Sequence, residues 1–282
     1  MYKINEYLNY SKLIIRSALE TARIKLRRQE PVGFSNHDAE TLSVFFIFSL
    51  GRSGTQFFSR LLNNDPKALV LHEPLRRDVL EYARSFNDKY NYDAYIKGFR
   101  MKYIQHNVSH QKINIYGEVN SVLRRHAAAL MFNIPNVKGL YLIRDGRDVV
   151  RSMMSRGAMS NSWFYNKITP QNDDPYFSKW HDWGRFEKCC WVWASENSML
   201  YRQFGPAMKF ELLLKDYEYF KSNLLDELQL DINKNIWEKE RLIKSKNRTV
   251  RFTIKPYKNW PVVWQDSFWE ICGEMMEKHG YS

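Results

Sequence analysis

The chain has 282 residues, 44% of them hydrophobic and 26% charged, enough to bury one substantial core of an ordinary α/β domain. No stretch approaches the ~18 uninterrupted apolar residues of a membrane span, and Leu13-Ile14-Ile15, the longest apolar run near the front, is too short for a signal-peptide core, so a cytoplasmic protein is expected. The 43 Lys and Arg against 31 Asp and Glu give a formal charge of +12, which calls for an anionic partner and leaves open nucleic acid, an acidic lipid surface or a small polyanionic cofactor.

Residues 1–33 form an N-terminal extension. Ile4, Leu8, Ile15, Leu19, Ala22 and Leu26 recur at helical spacing, with Lys12, Arg16, Arg23, Lys25, Arg27 and Arg28 between and after them. This reads either as a membrane-surface or partner helix, or as a helix packed on the core with a solvated basic face, and the second is preferred because amphipathic helices commonly pack so. Val44–Ser49 then reads as a buried strand and Gln56–Asn63 as a helix. Leu69–Leu71 is a second strand, with helices around 75–85 and 92–105. Ile113–Tyr116 is a third strand, followed by a helix from Ser121 to Phe132. Gly139–Ile143 is a fourth strand, leading to a helix from Arg147 to Ser155. Residues 157–182 read as a long surface excursion. A helix from Phe186 to Arg202, a strand at Ala207–Leu212 and helices at Asp216–Leu228 and Trp264–Lys278 complete the chain. Strands separated by helices imply βαβ units and a mostly parallel sheet. With no repeat or linker in sight, 41–282 is one domain.

The three cysteines, two of them adjacent (Cys189 and Cys190), match neither a disulfide framework nor a zinc pattern, and buried free thiols are expected. Most of Trp180, Trp183, Trp191 and Trp193 are expected in the core.

The most informative segment is Phe48-Ser49-Leu50-Gly51-Arg52-Ser53-Gly54-Thr55, with Gln56 next. It joins a buried strand to a helix, so backbone N–H groups and the positive helix end converge where a phosphate or sulfate would sit. Gly51 and Gly54 permit close approach of backbone, Ser53 and Thr55 add hydroxyls, and Arg52 adds a charge-assisted fork. A kinase-type loop would carry Lys after its last Gly; here Thr55 follows Gly54. In Tyr141–Gly157, Arg144 lies at the carboxyl end of a strand and Ser152 about two turns into the next helix. Ligands of open α/β sheets collect at such strand ends, and this pair suits a terminal phosphate. Arg147, Asp145 and Arg151 read as a solvated ion network.

These segments resemble the sulfotransferases that use 3′-phosphoadenosine 5′-phosphosulfate (PAPS), in their Golgi and bacterial branch. "LGRSGTQFFSRLLNNDP" is similar to the family's 5′-phosphosulfate loop, and "YLIRDGRDVVRSMMSRG" to its 3′-phosphate motif, closest to tyrosylprotein sulfotransferases. "NRTVRFTIKP" is similar to the loop that folds over the cofactor, where Lys255 matches a cofactor-contacting lysine and Thr249 a hydroxyl on the phosphosulfate. The resemblance implies a P-loop-like three-layer sandwich, its mostly parallel sheet flanked by helices. It also implies PAPS as co-substrate, no metal and a hydroxyl-bearing acceptor such as a carbohydrate, glycolipid, peptide tyrosine or small metabolite.

A sulfuryl transferase needs a base for the acceptor hydroxyl. Glu73, 18 residues beyond Thr55, falls where the family pattern has a catalytic Glu. Adjacent His72 is expected on the opposite face of the strand, by the two-residue alternation of side chains. Arg52 is the expected catalytic cation. Arg76, Glu118 and Asn120, with His72, are expected to meet the acceptor. Many relatives carry a lysine where this chain has Val119, so either Arg52 and Lys255 share its role or turnover is impaired. The competing readings are a P-loop phosphotransferase and a catalytically impaired nucleotide-binding or membrane-peripheral protein. Nucleic acid is not expected as a partner, because the basic residues fall in cofactor motifs. A homodimer and peripheral membrane contact are left open.

Overall fold

The computed structural model describes residues 11–22, 42–86, 90–111, 113–160, 168–243 and 252–282. Five strands, β1 (Ser43–Ser49), β2 (Ala68–His72), β3 (Ile115–Asn120), β4 (Val137–Ile143) and β5 (Met208–Lys209), form one parallel sheet in the order β2-β3-β1-β4-β5. β1 is central and almost wholly buried, as its unbroken apolar run requires in a sheet covered on both faces. Phe46 and Phe48 point into the core on one side, while Phe45 and Ile47 point into the other. Helix α1 (Thr55–Leu62) closes the second face through Phe58, Leu61 and Leu62. On the first face lie α2 (Arg76–Arg84), α3 (Gly146–Ser155), α4 (Arg185–Phe204) and α5 (Val262–Lys278). Because every strand runs the same way, the loops that follow β1, β2, β3 and β4 gather along one edge of the sheet. That edge is where ligands of such sheets bind.

Several elements depart from the sequence expectation. The third strand runs to Asn120 rather than stopping at Tyr116, carrying Gly117, Glu118 and Asn120 through the buried sheet. Gly117 has a packing cause: a Cβ there would lie 2.0 Å from the Phe45 ring. The expected strand Ala207–Leu212 shrinks to Met208–Lys209, and Phe210–Lys215 is helical, in keeping with the helix preference of Glu, Leu and Lys. The excursion after Gly157 is largely exposed over 171–182, as expected, but it is anchored to the core at two points. Ile168 and Trp180 are buried, and Trp180 packs edge-on to Trp191 at 5.1 Å. An added helix, Lys234–Leu242, buries Trp237 in the second core.

Residues 11–22 are helical and meet the body at the start of α2. Glu20 accepts from the backbone N–H of Arg76 (3.4 Å) and Arg77 (3.3 Å), capping that helix from outside its own segment. Thr21 accepts from Arg77 Nη1 at 3.0 Å. All three cysteines are free and buried, and burial pushes the Cys189 thiol up to about 12. Among the described residues, no helix is long and apolar enough to cross a membrane.

Candidate active site

The site is built from four strand ends. Beyond β1 the backbone turns sharply: Arg52 and Gly54 both take left-handed conformations, at φ of 81° and 79°. Gly54 is the N-cap residue of α1 and has no side chain to cap it, and no carboxylate lies in the first turn. The positive end of the helix dipole is therefore offered to an anion. Gly54 has a second reason to be glycine: a Cβ there would lie 2.2 Å from the Phe210 ring. The sequence reading credited both glycines to close approach of a ligand. At 54 the close approach is to Phe210, and at 51 a Cβ would meet only Ser121 Oγ at 3.5 Å, an ordinary contact.

Arg52 donates from Nε to Ser152 Oγ at 2.9 Å, so the loop after β1 is tied directly to α3. Arg144, at the end of β4, donates to the Arg52 carbonyl (3.0 Å) and to Asp148 (3.0 Å), and its guanidinium lies 4.9 Å over the Phe210 ring. The Arg144 carbonyl accepts from the indole N–H of buried Trp193 at 3.3 Å, which fixes this strand end from beneath. Arg144 Nε is buried with no hydrogen-bond partner among the described residues. Burial pushes the Arg52 pKa down, and Arg156 and Arg144 push it further, with Glu73 opposing them. The guanidiniums thus crowd one another at the head of a helix, an arrangement that an oxyanion would relieve.

Glu73 and His72 fall in the same place rather than on opposite faces. Strand alternation ends at His72, and Glu73 turns back at φ 42°, bringing its Oε1 within 3.8 Å of His72 Nε2. Glu73 accepts from the Ser121 N–H (3.3 Å) and from the Ser121 hydroxyl. His72 Nε2 shares a 2.9 Å hydrogen bond with Thr55 Oγ1. Nothing local in the sequence marks Ser121, which follows β3, as a site residue. Its carbonyl accepts from buried Arg124, which also pairs with Glu196 of α4.

Other expected residues lie apart. Glu118 and Asn120 do not face the cleft: neither has exposed surface. Glu118 is ion-paired with buried Arg100 and accepts from Tyr116 (2.5 Å) and Asn120 (3.0 Å). Val119 is buried in the second core beside β1. Arg76 is exposed on the first turn of α2, and Gln56 is exposed on α1. Ser53 is buried within its loop. Lys255 is exposed on a segment that runs beside α3, where the Phe252 N–H donates to the Ser155 carbonyl at 2.9 Å. Thr249 lies outside the described residues. Of the residues expected in an ion network, Arg147 pairs with Asp145, while Arg151 pairs with Asp148, which also holds Arg144. Among the described residues, no cluster of His, Cys, Asp and Glu has the makings of a metal site.

No protein-family model and no curated protein matches this chain. Among solved structures it is similar to the sulfotransferase STF9 from Mycobacterium avium, at 11% identity and a TM-score of 0.51, over 86% of this chain and 79% of that one. Two further likenesses are to the sulfotransferase STF1 from Mycobacterium tuberculosis H37Rv (13% identity, TM-score 0.44, 82% and 78% covered) and to a sulfotransferase domain from the curacin biosynthetic pathway (14%, 0.37, 69% and 76%). The likeness to the first is one of fold, and it matches the parallel five-stranded sheet and its flanking helices: the chain has a sulfotransferase-type α/β fold.

Proposed function

We propose that the protein is a sulfotransferase that moves a sulfuryl group from PAPS to an acceptor hydroxyl. The observation that carries this reading is the pairing of Arg52 and Arg144 beside the N-terminus of α1, with Ser152 hydrogen-bonded to Arg52 and Arg144 Nε buried without a hydrogen-bond partner among the described residues. Two anionic groups on one nucleotide suit this layout. The loop from Gly51 to Thr55 would hold the 5′-phosphosulfate through its N–H groups, Ser53, Thr55 and Gln56, while Arg144 and Ser152 would hold the 3′-phosphate. The lack of Lys after Gly54 speaks against a nucleoside triphosphate.

In the reaction, Glu73 takes the proton of the acceptor hydroxyl as its oxygen bonds to sulfur, and the bond from sulfur to the bridging phosphate oxygen breaks. The product nucleotide is adenosine 3′,5′-bisphosphate. Ser121 orients the Glu73 carboxylate through two hydrogen bonds, and Arg52 offsets the charge that grows on the bridging oxygen. With Val119 buried, that role falls to Arg52 from the loop and to Lys255 from the C-terminal segment.

Thermal melting with two nucleotides tests the reading. Adenosine 3′,5′-bisphosphate should raise the melting temperature, because it binds the folded state, and adenosine 5′-phosphate should raise it much less. Equal shifts from the two would remove the 3′-phosphate assignment to Arg144 and Ser152.

A further inference from the structure

The N-terminal helix sits on the protein the wrong way round. In an amphipathic helix packed on a core, the aliphatic stripe faces inward. Here the inward side is mainly polar: Leu13 is half-buried there, but Ser17 is 4% exposed, and Glu20 and Thr21 are engaged with the first turn of α2. The aliphatic side faces out, with Ile14 42% exposed, Ile15 58% and Leu19 55%. Ala18 and Ala22 are exposed too, and three- and four-residue spacing puts them on the same side. Lys12 and Arg16, both exposed, border this apolar face, while the carboxylate of the segment, Glu20, is turned to the protein. The outward surface is therefore aliphatic with a purely cationic edge, on a chain whose formal charge is +12.

We propose that residues 11–22 form an interfacial helix that seats the protein on an anionic bilayer. Ile14, Ile15 and Leu19 enter the headgroup boundary, and Lys12 and Arg16 reach anionic headgroups from its edge. Charge complementarity selects this occupant: a purely aliphatic partner would give the cationic edge nothing to meet, and a second copy of this helix would set like charges against each other. Glu20 clamps the helix to Arg76 and Arg77, three and four residues beyond Glu73, so the lipid contact lies beside the candidate active site. The proposal is independent of the sulfuryl-transfer reading.

The test is flotation of the full chain with vesicles of phosphatidylcholine alone or mixed with phosphatidylglycerol. The wild-type chain should float with the mixed vesicles and not with phosphatidylcholine alone. Ile15→Glu with Leu19→Glu should weaken binding about tenfold or more, and Lys12→Gln with Arg16→Gln should weaken it about tenfold and abolish most of its salt dependence. An Ile15→Cys variant should label readily with a water-soluble maleimide in free solution and be shielded by mixed vesicles, the native thiols at 189, 190 and 272 being buried. Failure of the wild-type chain to float would overturn the proposal. So would undiminished flotation of Ile15→Glu/Leu19→Glu, or shielding of Cys at 15 in free solution, which would mean that another part of the chain or a second copy covers the face. Both glutamates lie on the exposed side, so the melting temperature of that variant should stay at the wild-type value.

Discussion

Two arginine clusters in this molecule are built on opposite principles. Arg100 has no exposed surface and lies between Asp78, at 3.4 Å, and Glu118. Tyr95 donates to Asp78 (2.6 Å) and Tyr116 to Glu118 (2.5 Å), so the carboxylates are themselves held. Burial alone would lower the Arg100 pKa, yet Asp78 and Glu118 overcome it and the net shift is upward. Arg52 shifts downward, because burial is joined by Arg156 and Arg144 and opposed by Glu73. The same side chain moves in two directions according to its neighbours. The first cluster is neutralised by its own carboxylates and ties β3 to the helices over it, although Arg100 Nε and Nη1 and Asp78 Oδ2 find no hydrogen-bond partner among the described residues. Around Arg52 the guanidiniums outweigh Glu73 and Asp148, which pairs with Arg144, and this cationic excess at the strand ends is why the second cluster marks the candidate site.

The sharpest test of this contrast is Glu73→Gln, since Glu73 opposes the Arg52 cluster and is also the proposed base. Turnover should fall by about 10²–10⁴, the usual size of a general-base contribution, while binding of adenosine 3′,5′-bisphosphate is unchanged or tighter because a negative charge has gone. Slow hydrolysis of PAPS serves as the assay, with His72→Asn beside it and melting curves for both. Full activity in Glu73→Gln with collapse in His72→Asn would move the base by one residue, an outcome their 3.8 Å separation makes worth checking.

The compensated cluster should respond in stability instead. Glu118→Gln leaves Arg100 buried with one carboxylate fewer, and removing one partner of such a pair costs about 3–5 kcal/mol. Denaturant melts should show that loss, with no separate effect on nucleotide affinity in the protein that remains folded. A selective loss of affinity at unchanged stability would return Glu118 to the binding site.

The smallest effect, and the one with opposing signs, is expected at Arg52→Gly. Arg52 holds a left-handed backbone, strain of about 1 kcal/mol or more that glycine does not carry, and its removal also relieves Arg144 and Arg156. Stability should rise by about 1 kcal/mol. Affinity for adenosine 3′,5′-bisphosphate, read by titration, should fall by about 1.5–3 kcal/mol, the worth of a hydrogen bond to a charged group. Stability and affinity falling together would mean that Arg52 is a structural residue like Arg100.

Glu118 and Asn120 show where sequence reading stops. They follow a glycine at what reads as a strand end, and polar residues there face solvent in most loops. In the structure the strand continues through them, because Arg100 arrives from a helical segment to neutralise Glu118 and Asn120 donates to it. The inverted N-terminal helix is a second case. Its aliphatic spacing is plain in the sequence, but which side packs was decided by Glu20 and Thr21 meeting the unpaired end of α2.

The segment from Val44 to Thr55 was legible from residues alone, as was Arg144 at a strand end. An unbroken apolar run, a turn marked by glycine and a helix stripe are set by near neighbours and by water, and they survive in a one-dimensional pattern. Tertiary structure alone decided that Gly54 makes room for Phe210, that a positive φ folds Glu73 back beside His72, and that Ser121 holds its carboxylate. The physical reason is common to all three. A hydrogen bond, a ring contact or the neutralisation of a buried charge depends on which distant groups the packed sheet brings within a few ångströms, and sequence separation carries no trace of that distance.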